Sequence, residues 1–193
     1  MTRVLVVYGS RHGATKGIAE RIGEILCARG IDAAVAAADL CEDREINAAD
    51  AFVVGSGVYM GSWLKEPLEF IERYEETLAA RPLWLFSSGP LPGSSKDTHA
   101  DDPIENALGP TEGPGSGGRK KVEALVSIVR PRDHRVFQGA FDPHEPPKAF
   151  SERVVRIMPA AKKLLPEGDF REWDDIAAWA GQIAAALTPI PVG

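Results

Sequence analysis

The chain has 193 residues, enough for one large domain or two very small ones. Its 22 basic and 28 acidic side chains give a net charge of −6, which argues against nucleic acid as a general partner because phosphate binding needs a basic surface. No apolar run approaches a membrane span, and the sequence opens directly on a strand pattern with no signal peptide before it, so we expect a cytoplasmic protein without an integral membrane segment. The spacing of Cys27 and Cys41 predicts no metal site.

The first predicted strand, Arg3–Tyr8, is followed by a loop of small and hydroxyl-bearing residues. Gly9 and Gly13 let the backbone bend tightly and approach a ligand closely, while Ser10 and Thr15 supply hydroxyls. A helical pattern begins directly afterwards, so unpaired N–H groups and the helix dipole point at the loop and favour an anion. The loop lacks the lysine of a nucleotide-triphosphate loop, and its spacing is not G-x-G-x-x-G. It therefore predicts a site for a single terminal phosphate.

Strands and helices alternate along most of the chain, which favours a parallel sheet with helices on both faces. The predicted strands are Arg3–Tyr8, a segment within Ile31–Ala37, Ala51–Gly55, Leu83–Phe86 and His134–Phe141. The predicted helices are Ala14–Arg29, Leu64–Leu78, Val122–Val129, a segment from about Phe150 to Leu165, and a last helix that begins at a capping pair formed by Asp169 and Glu172. The phosphate loop after strand one fits the doubly wound order 2-1-3-4-5, in which ligands bind at the carboxyl ends of strands one and three.

Residues 90–118 interrupt this alternation after strand four. The segment holds six glycines and five prolines, and it is too long for a plain connection in a compact domain. Two interpretations stay open, a mobile surface insertion and a lid over a bound cofactor. Because no repeat or linker divides the chain, we expect residues 1–193 to form a single domain that carries this insertion.

Two further loops should meet the phosphate loop at the same edge of the sheet. The loop after strand three offers Tyr59, Met60 and Trp63 as surfaces for a flat ring, and its glycines give access to the backbone. The loop after strand four offers the hydroxyls of Ser87 and Ser88 for the polar edge of such a ring. Together the three loops predict a flat, phosphorylated aromatic cofactor.

Histidines and tryptophans away from these loops are interpreted as structural. His99, His134 and His144 are scattered without metal-ligand spacing and are expected at the surface. Trp84 lies inside a predicted buried strand, and the tryptophans of the last helix are expected to pack against the sheet.

These residues resemble the flavodoxin-like family, because Ser10–Thr15 matches its phosphate-loop pattern (S/T)-x-x-G-x-T. Within that family the chain is most similar to the long branch represented by menaquinone-dependent protoporphyrinogen dehydrogenases. The similarity includes Arg11 before the second glycine, the run Gly55–Gly61, the insertion after strand four, Gly139-Ala140 and the closing segment Glu172–Ala177.

The resemblance implies FMN as the cofactor. It implies that the FMN phosphate is bound by Ser10, Arg11, His12, Gly13, Ala14 and Thr15. It also implies that the isoalloxazine ring is lined by Ser56, Gly57, Val58, Tyr59, Met60, Gly61 and Trp63 on one side and by Ser87, Ser88, Gly89, Pro90 and Leu91 on the other. The redox chemistry would be that of the flavin, so no catalytic acid or base is assigned.

Three functions remain open. The first, favoured by the insertion, is a flavin-dependent oxidoreductase that transfers electrons or hydride to a small substrate of quinone or porphyrinogen type. The second is an electron carrier between redox partner proteins, which the net acidity suits because charge steers such encounters. The third keeps the fold but binds a deazaflavin in place of FMN. The sequence leaves the oligomeric state open.

Overall fold

The computed structural model describes residues 1–59, 62–89, 116–141 and 168–188. Its strands are β1 (Arg3–Gly9), β2 (Asp32–Ala37), β3 (Ala51–Tyr59), β4 (Ser62–Trp63), β5 (Leu83–Ser88), β6 (Asp133–Phe137), β7 (Ala140–Phe141) and β8 (Gly168–Asp169). Its helices are α1 (Ala14–Ala28), α2 (Asp43–Ala48), α3 (Lys65–Arg73), α4 (Glu75–Ala79), α5 (Ser116–Val129) and α6 (Trp173–Leu187). The helix predicted near 150–165 lies outside the described residues, as does the predicted insertion up to residue 115.

The main sheet confirms the predicted flavodoxin-like topology. Its strands pair in parallel in the order β2-β1-β3-β5-β6, which is the predicted order once the short β4 is counted. Strand β4 was not predicted, and it pairs antiparallel with the end of β3 through Val58 and Trp63. The carboxyl ends of β1, β3 and β5 therefore lie side by side.

Both faces of the sheet are buried, which explains the unbroken apolar runs in its central strands. Alternate side chains point to opposite faces, so Leu5 and Val7 pack with α3 and α5. The side chains of Val4 and Val6 pack with α1 and α6 on the other face. None of the helices in the described ranges has the length and hydrophobicity to cross a lipid bilayer.

The last helix begins three residues later than predicted. Glu172 is its N-cap residue, and the first helical residue is Trp173. Asp169 lies in β8, where its carboxylate accepts hydrogen bonds from the backbone N–H and the guanidinium of Arg171. This local ion pair occupies the carboxylate that the spacing had assigned to a helix cap.

Gly55, in the middle of β3, makes room for an aromatic cluster. A Cβ at this position would lie 2.0 Å from Cζ of Phe86 on the neighbouring strand. The Phe86 ring packs against Phe137 at 6.1 Å and Trp179 at 6.3 Å between ring centroids, so it has little freedom to move aside.

We predict that Gly55→Ala lowers the free energy of unfolding by about 2–3 kcal/mol, because the added methyl overpacks the buried sheet face. Urea unfolding followed by circular dichroism measures the change. Phe86→Leu removes the clashing atoms, so the double variant should lose less stability than the sum of the two single variants. Strictly additive losses would contradict this steric explanation.

Candidate functional site

The turn between β1 and α1 presents the start of a helix whose N–H groups have no side-chain cap among the described residues. Gly13 is the N-cap residue and has φ of 82°, a left-handed conformation that glycine adopts without strain. Its N–H donates to Oγ of Ser10 at 3.1 Å, which holds the turn closed. The first turn of α1 carries no acidic residue. These features favour an anion at this helix end.

A fixed positive charge lies beside that first turn. The guanidinium of Arg171 donates to the carbonyl of Ala14 at 3.5 Å and stacks on the Trp173 ring at 4.5 Å. It approaches α1 so closely that a Cβ at Gly17 would lie 2.6 Å from Nη1. The sequence analysis did not identify Arg171, because a single arginine 157 residues from its contact carries no recognisable pattern.

The loop after β3 is shaped by a buried serine. The hydroxyl of Ser56 donates to the carbonyl of Gly57 and accepts the N–H of Leu64, both at 2.9 Å. Ser56 is fully buried, so its hydroxyl determines the path of the loop from within the protein. The predicted site residues Met60 and Gly61 lie outside the described residues.

Tyr59 brings this second loop against the phosphate loop. The guanidinium of Arg11 lies 4.9 Å from the centre of the Tyr59 ring, and the His12 ring lies 6.4 Å from it. A Cβ at Gly57 would stand 2.9 Å from the Tyr59 ring and 3.2 Å from Oγ1 of Thr15. The backbone at Gly57 therefore gives room to both neighbours.

Trp63 was predicted as a surface for the ring, and the structure places its indole inside the protein. Only 4% of the residue is exposed. Its Nε1 donates to Oγ of Ser87 at 2.8 Å, and the ring stands edge-on to His134 with centroids 5.8 Å apart. Trp63 thus lies beneath the loops.

The two serines at the end of β5 face opposite sides of the sheet. Ser87 is bound by Trp63 and His134, whereas the buried Oγ of Ser88 has no hydrogen-bond partner among the described residues. Gly89 follows, where a Cβ would lie 3.2 Å from the carbonyl oxygen of Val58. The second and third loops therefore also touch. Pro90 and Leu91, predicted for this side of the site, lie outside the described residues.

His134 is buried, which corrects its interpretation as a surface residue. Its Nε2 lies 2.9 Å from Oγ of Ser87. Side chains alternate along β6, so His134 lies on the same face of the sheet as Val136, which packs against the core. This alternation in the sequence could have predicted that His134 is buried. Within the described ranges no three metal-ligating side chains come together.

A family model described as "Flavodoxin domain" matches residues 5–145, most of the chain. The chain belongs to the flavodoxin domain family. A search of curated proteins found no match.

Several solved structures share the flavodoxin fold with this chain. A cysteine-to-serine variant of the flavodoxin from Pseudomonas aeruginosa is 19% identical, with 96% of this chain and 99% of that chain covered and a TM-score of 0.55. Flavodoxin 1 from Bacillus cereus is 10% identical, with 97% and 100% covered and a TM-score of 0.55. The rubredoxin oxygen:oxidoreductase of Desulfovibrio gigas is 15% identical over 97% of this chain and 36% of that chain, with a TM-score of 0.56. At these identities the likeness shows the fold.

Arg171 makes the stability of this flavodoxin domain depend on pH. Its hydrogen bonds to Asp169 lower the pKa of that carboxyl. The ion pair therefore stabilises the fold at pH values above the ordinary aspartate pKa of about 4. This stabilisation is lost as the pH falls through the lowered pKa. We predict that Asp169→Asn loses less than about 1 kcal/mol at pH 7, because solvent screens a half-exposed pair.

The free energies of unfolding of wild type and Asp169→Asn, measured by urea titration, should converge between pH 5 and the acid limit of folding. A difference that stays constant, or grows, towards low pH would contradict this assignment.

Proposed function

We propose that this flavodoxin-domain protein binds FMN, with its phosphate at the start of α1 and its ring against the loops after β3 and β5. The observation that carries the proposal is the N-terminus of α1, which no side chain of the described residues caps and which Gly13 opens in a left-handed conformation. Backbone N–H groups there can be satisfied by a terminal phosphate. The hydroxyls of Ser10 and Thr15 stand on the same turn.

The charge around this turn fits a phosphate. Arg11, His12 and Lys16 flank it in the sequence, whereas the charge of Arg171, which contacts Ala14, is balanced by Asp169. The first turn lacks the acidic side chains that many helices carry there. In a protein of net charge −6, this local basic character supports an anion site.

The ring side also fits a flat polar heterocycle. Gly57 and Gly89 are buried positions where a Cβ would crowd its neighbours, so glycine lets the loops after β3 and β5 lie close to the phosphate loop and to each other. Tyr59 gives an aromatic surface beside the phosphate loop. Ser88 holds a buried hydroxyl without a partner in the described part of the chain, at the strand end where the ring would lie.

Bound FMN would supply reversible transfer of one or two electrons. The chain's own part is to neutralise the phosphate charge, fix the loops and limit water at the ring. Ser56 and Ser87 hold the ends of β3 and β5 from beneath, through hydrogen bonds to Gly57, Leu64 and Trp63. No side chain of the described residues needs to act as acid or base for this role.

For the reaction, we propose an oxidoreductase that passes electrons or hydride to a small acceptor of quinone or porphyrinogen type. Support comes from the resemblance to menaquinone-dependent protoporphyrinogen dehydrogenases and from the long segment between β5 and α5. A second candidate is an electron carrier between proteins, which the net charge of −6 favours because acidic carriers are steered to basic partners.

We predict that Thr15→Val weakens FMN binding by about tenfold and riboflavin binding much less, because one phosphate hydrogen bond to a charged group is lost. Quenching of flavin fluorescence measures both dissociation constants. The matched control is Thr188→Val, which removes a hydroxyl that donates to the carbonyl of Ala184 at the end of α6. It should leave both constants unchanged.

Equal losses of FMN and riboflavin affinity in Thr15→Val would contradict the phosphate role. Titration with a phosphate-bearing deazaflavin distinguishes the ring. Tighter binding of the deazaflavin than of FMN would identify the deazaflavin as the cofactor. If the protein binds neither compound, the proposed function is wrong.

The FMN-loaded protein should also distinguish enzyme from carrier. We predict that the reduced protein is reoxidised by a quinone in repeated turnovers, with saturation in quinone, because the site would bind a small acceptor. Stopped-flow absorbance follows the reaction. If quinones and porphyrinogens react only at the rate of free FMN while a reductase and an acceptor protein exchange electrons through the chain, the carrier function is correct.

A further inference from the structure

A hydrogen-bonded chain of three buried side chains joins β4, β5 and β6 beneath the proposed ring side. Trp63, Ser87 and His134 are 4%, 0% and 6% exposed, respectively. The indole Nε1 lies 2.8 Å from Oγ of Ser87, and the same oxygen lies 2.9 Å from Nε2 of His134. We call these residues the indole–serine–imidazole chain.

The direction of one hydrogen bond in this chain can be assigned. An indole N–H can only donate, so Oγ of Ser87 accepts from Trp63. The Ser87 oxygen keeps a second lone pair and one O–H, so its contact with Nε2 of His134 forms in either direction, according to the tautomer of the imidazole.

Two members lie next to the loops of the proposed ring side, and the third lies on the neighbouring strand β6. Trp63 pairs with Val58 and so turns the loop after β3 back onto the sheet. Ser87 directly precedes Ser88 and Gly89, which form the loop after β5. His134 lies on β6, opposite Leu85 of β5. The three side chains thus link β4, which pairs with β3, to β5 and β6.

Stability alone does not require a polar chain at this place. Buried polar groups are costly unless each is satisfied, and apolar side chains of similar size would fill the same volume. What the two hydrogen bonds through Ser87 add is a single geometry, because hydrogen bonds are directional and apolar packing is not.

We propose that His134 is a positioning residue for the cofactor ring. Through Ser87 and Trp63 it holds the loops after β3 and β5 in the arrangement that accepts a flat heterocycle. The inference rests on the proposed function, since the ring in question is that of a flavin. It assigns to His134 a role that its place in β6, away from the loops themselves, does not suggest.

The first test compares riboflavin and FMN binding in Trp63→Phe and His134→Leu. Both variants should lose about tenfold in affinity for each compound, because either change breaks a hydrogen bond under the ring side and leaves the phosphate loop intact. The ratio of FMN to riboflavin affinity should stay at its wild-type value, unlike in Thr15→Val. His134→Gln, whose amide can donate to or accept from Ser87, should recover most of the loss.

The matched control is Trp179→Phe. It also removes a hydrogen bond of an indole N–H, here at 2.6 Å to the carboxylate of Asp133, but from the other face of the sheet. It should leave both dissociation constants unchanged. Equal loss in Trp179→Phe and Trp63→Phe, or wild-type riboflavin affinity in both Trp63→Phe and His134→Leu, would overturn the proposal.

A second test needs no cofactor. In the flavin-free protein, Trp63→Phe should speed hydrogen exchange at the backbone amides of Ser88, Gly89 and Leu64. Unchanged exchange at these amides would overturn the positioning role. If wild type binds no flavin, the proposed function fails. The exchange result still decides whether the indole–serine–imidazole chain holds the loops. Should His134→Leu not fold, Trp63→Phe, which keeps an aromatic ring, gives the answer.

Discussion

The parallel pairing of β3 with β1 on one side and β5 on the other is the constraint on which the rest of the structure depends. It aligns three strand ends at one edge of the sheet, the edge at which open parallel sheets bind ligands. Close contact between the ends requires residues without side chains. Gly57 leaves space for the side chains of Thr15 and Tyr59, and Gly89 leaves space for the backbone at Val58. Loops that are far apart in sequence thus become one surface.

Local patterns were sufficient for the main sheet and for the first turn of α1. Val4–Val7 and Phe52–Val54 read as buried strands because no face of them meets water, and the helical period after Thr15 was equally clear. Strand β4 was not predicted because two residues are too few to show the alternation of apolar and polar side chains that marks a strand. The burial of Trp63 and His134 was not predicted for another reason: each is held by a hydrogen bond to Ser87, across 24 and 47 residues of sequence. Contacts of that span leave no mark in a local pattern.

The net charge of the molecule and the local charge at the start of α1 have opposite signs. Overall the chain is acidic, yet Arg11 and Lys16 flank the start of α1, whose first turn carries no carboxylate. A local field of this kind selects the charge of what binds there, whereas the net charge acts on partners at a distance. Different residues therefore govern anion binding at α1 and the long-range attraction of partners, so a substitution that changes one need not change the other.

The tying of β5 and β6 from beneath has an evolutionary consequence. The chain leaves the sheet after Gly89, whose N–H donates to the carbonyl of Phe137, and it returns through α5, where Lys121 pairs with Glu72 of α3. Both ends of the intervening segment are thus fastened independently of its length. Closing a loop twice as long costs only about 0.6 kcal/mol more. Descendants of this fold can lengthen, shorten or replace that segment, and so change which molecules reach the sheet edge, while the anchor at α1 stays as it is.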